Sequence, residues 1–258
     1  MSGAGMDTLQ VTMEGIGNNI ANVSTPGFKK DNYLLKTFPE MLMIEKNSPM
    51  NRLGNLRYRF NRPVGISGIG NLVTEVKVDY AMGNAYETNN NTDLMLKGDA
   101  FFTVDYATKD DPGQTAYTRN GAFRVDENGY LVTAGGHRVQ GENGGIYIGD
   151  NELGFTVKAD GTIVVDDVKL DKLKLVEFDD LEALYKLGDD MFLDGGGTGR
   201  VSNETIIYQG FLEGSNVNPV DEMVKLINTV KAYETSQRVI QTQDELLAKA
   251  VNQVGTIR

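Results

Sequence analysis

Six apolar residues near the N-terminus, Met6, Leu9, Met13, Ile16, Ile20 and Val23, follow one another at steps of three and four. The last forty residues carry the same rhythm through Leu226, Val230, Tyr233, Gln237, Ile240, Asp244, Leu247, Val251 and Val254, where only Gln237 and Asp244 are polar. Such spacing places the side chains on one face of a helix and predicts packing helices at both ends of the chain. An intrachain helical hairpin and a contact between copies would use the same seam, but two details lean towards assembly. Gly15 and Gly17 each cost the N-terminal helix about 1 kcal/mol relative to alanine, whereas each fully covered seam residue returns about 1.5–3 kcal/mol. In the C-terminal seam, polar residues such as Gln237 and Asp244 fix register or partner number at some cost in stability.

Between the ends the period changes to two. Leu72, Thr74, Val76 and Val78 alternate with polar neighbours, and Leu94, Leu96 and Phe101-Phe102 follow around Gly98-Asp99. Ala122–Val125, a turn at Asp126–Gly129 and Tyr130–Thr133 form one hairpin signature; Phe155–Ala159, Asp160-Gly161 and Thr162–Val165 form a second. A strand is expected at Leu173–Phe178, and short helices around Phe38–Glu45 and at Asp180–Leu187. The first helix should stop at Ser24-Thr25-Pro26-Gly27, and Asp221-Glu222 should open the last one, where acidic side chains suit the helix dipole. The expected fold is α+β: long N- and C-terminal helices packing as a coiled-coil-like bundle, with a central, mainly antiparallel β domain. Residues 1–35 and 214–258 make the terminal helical assembly domain, 36–70 an irregular connecting segment and 71–213 the β-rich body.

Charge and chemistry narrow the function. The net charge of −11 resides almost wholly in the middle, because residues 1–35 carry −1 and residues 215–258 are neutral. This argues against general nucleic-acid binding, while near-neutral ends can crowd together. Arg52 and the alternating run Arg57–Arg62 read as an exposed strand edge whose arginines discourage pairing, in preference to a site for an anionic polymer. The chain has no cysteine, its longest apolar cluster, Met41–Ile44, is far too short to span a membrane, and no classical secretory signal opens it. His137 is the only histidine and follows Gly135-Gly136 in a strand-and-turn region, which reads as structural. The pairs Asp110-Asp111, Asp166-Asp167, Asp179-Asp180 and Asp189-Asp190 read as solvated turns. Gly195–Gly197 lacks the lysine and hydroxyl of a phosphate loop, and Asp126–Gly129 the spaced ligands of an EF-hand. No catalytic residue, cofactor or metal site is expected, and the residues that matter are the apolar seams.

Three motifs carry a resemblance. Asn18-Asn19-Ile20-Ala21-Asn22-Val23-Ser24-Thr25-Pro26-Gly27-Phe28-Lys29 resembles the N-terminal signature of bacterial flagellar rod and hook proteins. Gly98–Phe102, Tyr117–Gly121 and Gly129–Thr133 resemble the middle domain of the FlgF/FlgG rod proteins, and Gln209–Asn218 with Ala232-Tyr233-Glu234 their C-terminal signature. The resemblance implies a structural, non-enzymatic subunit of the flagellar basal-body rod that assembles through its terminal helices with itself and other rod subunits. It implies passage through the flagellar type III export apparatus without a cleaved signal, and neither nucleic-acid binding nor membrane insertion. Ala100 replaces a customary glycine, and relatives usually have several residues before Ser2, which leaves the helix start open. Length and the ending Asp244–Gly255 favour the proximal F type over the distal G type. A soluble cell-envelope or carbohydrate-binding β protein is the alternative from another class.

Overall fold

The computed structural model describes residues 2–37, 41–45, 51–53, 56–58, 62–67, 71–106, 113–149, 154–188, 190–197, 199–202 and 205–254. Two units divide the chain: one comprises residues 1–17, 32–77 and 223–258, the other residues 18–31 and 78–222.

The first unit contains most of two helices, α1 (Ser2–Ala21) and α2 (Pro219–Val254), together with paired short strands. Asp31–Thr37 pairs with Asn71–Val78, Met41–Glu45 with Arg62–Ser67, and Asn51–Leu53 with Leu56–Tyr58. Met41–Glu45 is therefore a strand and not part of a helix, while Phe38–Glu40, Arg59–Asn61 and Asp110-Asp111 lie outside the described residues. Four consecutive apolar residues have no internal period that separates strand from helix; pairing decided between them.

The expected pair of long terminal helices packed as a coiled-coil-like bundle is corrected here. α1 has 20 residues and α2 has 36, lengths of about 30 Å and about 54 Å at the helical rise, so the short helix cannot cover the long one. α1 also stops at Ala21, which puts Val23 in the turn beyond it. On α2 the seam is half-buried at Leu226, Tyr233 and Ile240, reaches 36% exposure at Val230, and is 63% and 70% exposed at Leu247 and Val251. Periodicity identifies an apolar face, but what covers that face is a separate matter.

The second unit contains both hairpins expected from the sequence. An antiparallel sheet runs in the order Arg124–Val125, Leu131–Val132, Arg138–Gly141, Phe101–Tyr106, Gln114–Thr118, Met191–Asp194 and Leu184–Leu187, with Leu175–Phe178 also paired to Phe101–Tyr106. A three-stranded sheet of Phe155–Val157, Thr162–Val165 and Val168–Lys172 adjoins it in sequence. Leu94, Leu96, Phe102, Val104, Ile146 and Ile163 belong to one core cluster; Phe101, Val176, Phe178 and Phe192 belong to a second. Ala100 is fully buried in the first cluster, where a methyl group is accommodated. Both turns read from the sequence have local causes. The Asp126 carboxylate accepts from the amides of Asn128 and Tyr130, that of Asp160 from the amide and hydroxyl of Thr162, and Gly129 and Gly161 supply left-handed φ values. The helix expected at Asp180–Leu187 is a single 3₁₀ turn, Leu181–Ala183, capped by Asp180; Leu184–Leu187 continues as a strand.

Asp166 and Asp167 connect Thr162–Val165 to Val168–Lys172 with φ of 47° and 63°. Two consecutive left-handed residues form the turn that favours Asn-Gly, and here two like charges occupy it. Asp167→Gly should stabilise the protein by about 0.5–1 kcal/mol through relief of the left-handed penalty, less the entropy glycine adds to the unfolded chain. Urea denaturation reads this, and a fall in stability would rule out the strain.

Candidate functional site

The first two sequence motifs and the Gln209–Asn218 part of the third converge inside the second unit, on charged and amide side chains, while Ala232-Tyr233-Glu234 lies on α2 in the first unit. Gly27 adopts φ +67°, and its amide donates to the Glu213 carbonyl at 2.8 Å. A Cβ there would collide with the backbone between Arg119 and Asn120, so glycine is required both by conformation and by close approach. This turn delivers Phe28 and Lys29 inward, with exposures of 0% and 1%.

The Lys29 ammonium donates to Glu213 Oε1 at 2.5 Å and to the Ala81 carbonyl at 2.8 Å. Glu213 Oε1 also accepts from the Gly83 amide at 2.9 Å. Its other oxygen lies 3.8 Å from Arg119 Nη1, which donates to the Gly98 carbonyl at 2.7 Å while the guanidinium sits 4.7 Å above the Phe101 ring. Burial pulls the Lys29 pKa below the ordinary lysine value, with the Glu213 charge opposing, and burial lowers that of Arg119 in the same way. Charges removed from water to this degree persist only when paired: Lys29 and Glu213 share a hydrogen bond, whereas Glu213 Oε2 and Arg119 Nε are buried without a hydrogen-bond partner and are held by charge proximity alone.

A second cluster lies beside the first. Asn19, 2% exposed, donates through Nδ2 to the Asp31 carbonyl and accepts the Asp31 amide on Oδ1, both at 3.0 Å. The same Nδ2 approaches Glu222 Oε2 at 3.4 Å. Lys186 donates to both Asp31 carboxylate oxygens and to the Lys29 carbonyl at 3.0 Å, over the Phe28 ring. Asn216 accepts the Lys30 amide at 2.9 Å and donates to the Asp79 carbonyl at 2.7 Å. A groove of about 460 Å³ opens here between the Lys30–Asp79 ion pair and the first residues of α2.

The arrangement ties the stretch after α1, the middle of the chain and the stretch before α2 into one polar knot. Of the seam residues, Ile16 is buried, Met6, Leu9, Met13, Ile20 and Val23 are half-buried, and Val254 is helical in its backbone, its side chain outside the described residues. Sequence reasoning assigned no role to Asn19, Lys29, Arg119 or Glu213; their place in the quoted motifs was the one available signal. His137 packs its ring 4.8 Å from Tyr106. Asp179 pairs with Arg200, and Asp190 accepts from Asn120. The Gly196 and Gly197 amides both turn onto the Asp194 carboxylate. Among the described residues no group of three or more potential ligands could hold a metal ion, and no helix is long and apolar enough to cross a membrane.

Comparison with known proteins accounts for the convergence. Residues 2–29 match the family described as flagella basal body rod protein, residues 95–165 the FlgE/F/G D1 domain of flagellar hook proteins, and residues 208–254 the C-terminal region of the flagellar basal body rod FlgEFG proteins. The flagellar basal-body rod protein FlgG of Buchnera aphidicola from Schizaphis graminum is 30% identical over 263 residues, covering 96% of each chain. FlgG of Bacillus subtilis is 29% identical with the same coverage, and FlgF of Caulobacter vibrioides is 31% identical over 97% of this chain and 94% of its own. With every matched region contributing to one knot and the likeness running nearly end to end, this chain belongs to the FlgF/FlgG family of flagellar basal-body rod proteins.

Proposed function

We propose that this protein joins its neighbours through the apolar faces of its terminal helices. It is a structural, non-enzymatic subunit of the bacterial flagellar basal-body rod and assembles with other rod and hook subunits. The observation that carries the proposal is the exposure of α2: Val220, Met223, Val224, Ile227, Leu246, Leu247 and Val251 are each more than half exposed. Large apolar side chains concentrated on one element mark an interaction surface, and each returns about 1.5–3 kcal/mol when covered. On this reading residues 1–35 and 214–258 do the assembling, 71–213 form the body, 36–70 connect them, and the chain leaves the cytoplasm through the flagellar export apparatus.

Leu247→Asp tests the reading. A carboxylate placed in a covered layer is strongly disfavoured, whereas Lys249→Glu exchanges one exposed charge for another. Leu247→Asp should be exported and folded yet absent from isolated basal bodies, leaving a deletion strain non-motile; Lys249→Glu should restore motility. Normal motility with Leu247→Asp would remove the seam from the interface, and an unfolded β body would assign Leu247 to the monomer's own core.

A further inference from the structure

We infer that Asn19 is a positioning residue that registers the last turn of α1 against the first turn of α2. The chemistry is particular to a carboxamide. One edge of the Asn19 side chain presents a donor and an acceptor together, and these pair with both the carbonyl and the amide of a single residue, Asp31. The second Nδ2 hydrogen remains for Glu222, which is 3% exposed although it stands in the opening turn of a helix. Asn19 thus links α1, the segment returning from it and α2, three pieces brought together from opposite ends of the sequence. Lys186 holds the Asp31 carboxylate from the other side, and Asn218 Oδ1 caps α2 by accepting the Val220 amide. The Asn19–Glu222 contact between the helix roots lies at buried positions, where a lost partner is not replaced by water, while the Asn218 cap is exposed.

Aspartate at position 19 has the same shape and the wrong polarity. It keeps the acceptor for the Asp31 amide, loses both donors, and sets a carboxylate against Glu222. Glu222→Gln on that background restores an amide donor to the pair. Because the natural chain has no cysteine, spin labels at Glu14→Cys in α1 and Lys231→Cys in α2 are unique, and their separation can be measured on the full-length monomer. Asn19→Asp should broaden the distance distribution roughly twofold while the β body retains its near-ultraviolet circular dichroism. Asn19→Asp with Glu222→Gln should narrow it again. An unchanged distribution in Asn19→Asp, or no recovery in the double variant, overturns the inference. If Asn19→Asp unfolds the body, Glu222→Ala decides, since it removes the α2 side of the contact and leaves Asn19 paired with Asp31; a parental distribution in that variant also overturns it. The inference rests on the proposed assembly role of the helices only for its biological consequence: Leu247→Asp can fail to enter rods with a parental distance distribution, which separates the two claims.

Discussion

Lys29→Ala should cost this protein about 3–5 kcal/mol, the loss expected when one partner of a buried ion pair is removed and the other stays behind. Glu213 would retain the Gly83 amide on Oε1, but its nearest remaining cation, Arg119, lies 3.8 Å from the other oxygen and is committed to the Gly98 carbonyl. The Glu213 side chain is 1% exposed, so solvent cannot take over from the ammonium. Against a typical domain stability of about 5–15 kcal/mol, such a loss leaves a substantial unfolded fraction. Lys29→Met separates charge from packing, since it keeps an unbranched stem and should cost nearly as much. Adding Glu213→Gln to Lys29→Met should recover part of the loss by removing the unpaired charge. Urea denaturation of the three variants gives the comparison, and a penalty below about 1 kcal/mol for Lys29→Met would mean that water reaches the pair as it does on a surface.

This knot also shows where sequence reasoning reached and where it ended. The turns at Asp126 and Asp160 were legible because each carboxylate satisfies amides two to four residues away, so cause and effect lie within one short window. Alternation was a weaker guide: Phe101, Phe102, Thr103 and Val104 are buried in succession because Phe102 and Val104 enter one core cluster and Phe101 the other, and Val76, read as inward, is 49% exposed. Lys29 meets Glu213 across 184 residues, and Asn19 meets Glu222 across 203, separations at which neither period nor spacing carries information. Residue type pointed the wrong way as well: Lys29 is nearly as buried as Phe28, although lysine and glutamate are almost never fully buried unless paired. Along α1 the apolar seam passes through Ile16 and Ile20, yet Asn19 is more deeply buried than Ile20, because hydrogen bonding rather than apolarity selected it. The terminal seam marks where apolar residues lie on α2. Its distal part, Leu247 and Val251, is exposed, so the spacing located the residues without telling what covers them.

Gly121→Ala should be as damaging as the loss of Lys29, for a reason that involves neither charge nor backbone conformation. Gly121 does not have a left-handed φ, so alanine is conformationally acceptable there. The obstacle is proximity: an added Cβ would fall inside the van der Waals envelope of the Leu94 carbonyl oxygen. The two backbones are held together by the Leu94 amide donating to the Gly121 carbonyl at 3.0 Å and by the bridge between Asp93 and Ala122. A flexible side chain could swing away from a new methyl group, but a carbonyl cannot move without its strand. Leu94 is fully buried in the main core cluster, so displacing it would disturb the packing of Leu96 and Phe102 as well. Overpacking of a close-packed interior costs about 1–3 kcal/mol, and a backbone obstacle places Gly121→Ala at or above the upper end. Gly136→Ala is the matched control: it has φ +85° with nothing near its would-be Cβ, and should cost about 1–2 kcal/mol from conformation alone. Thermal denaturation should rank Gly121→Ala well below Gly136→Ala, and hydrogen exchange should locate the added opening at the Leu94 amide. Equal losses at the two positions would mean that the strand bearing Leu94 yields freely, and that the close approach of the middle motif to the core is incidental to the fold.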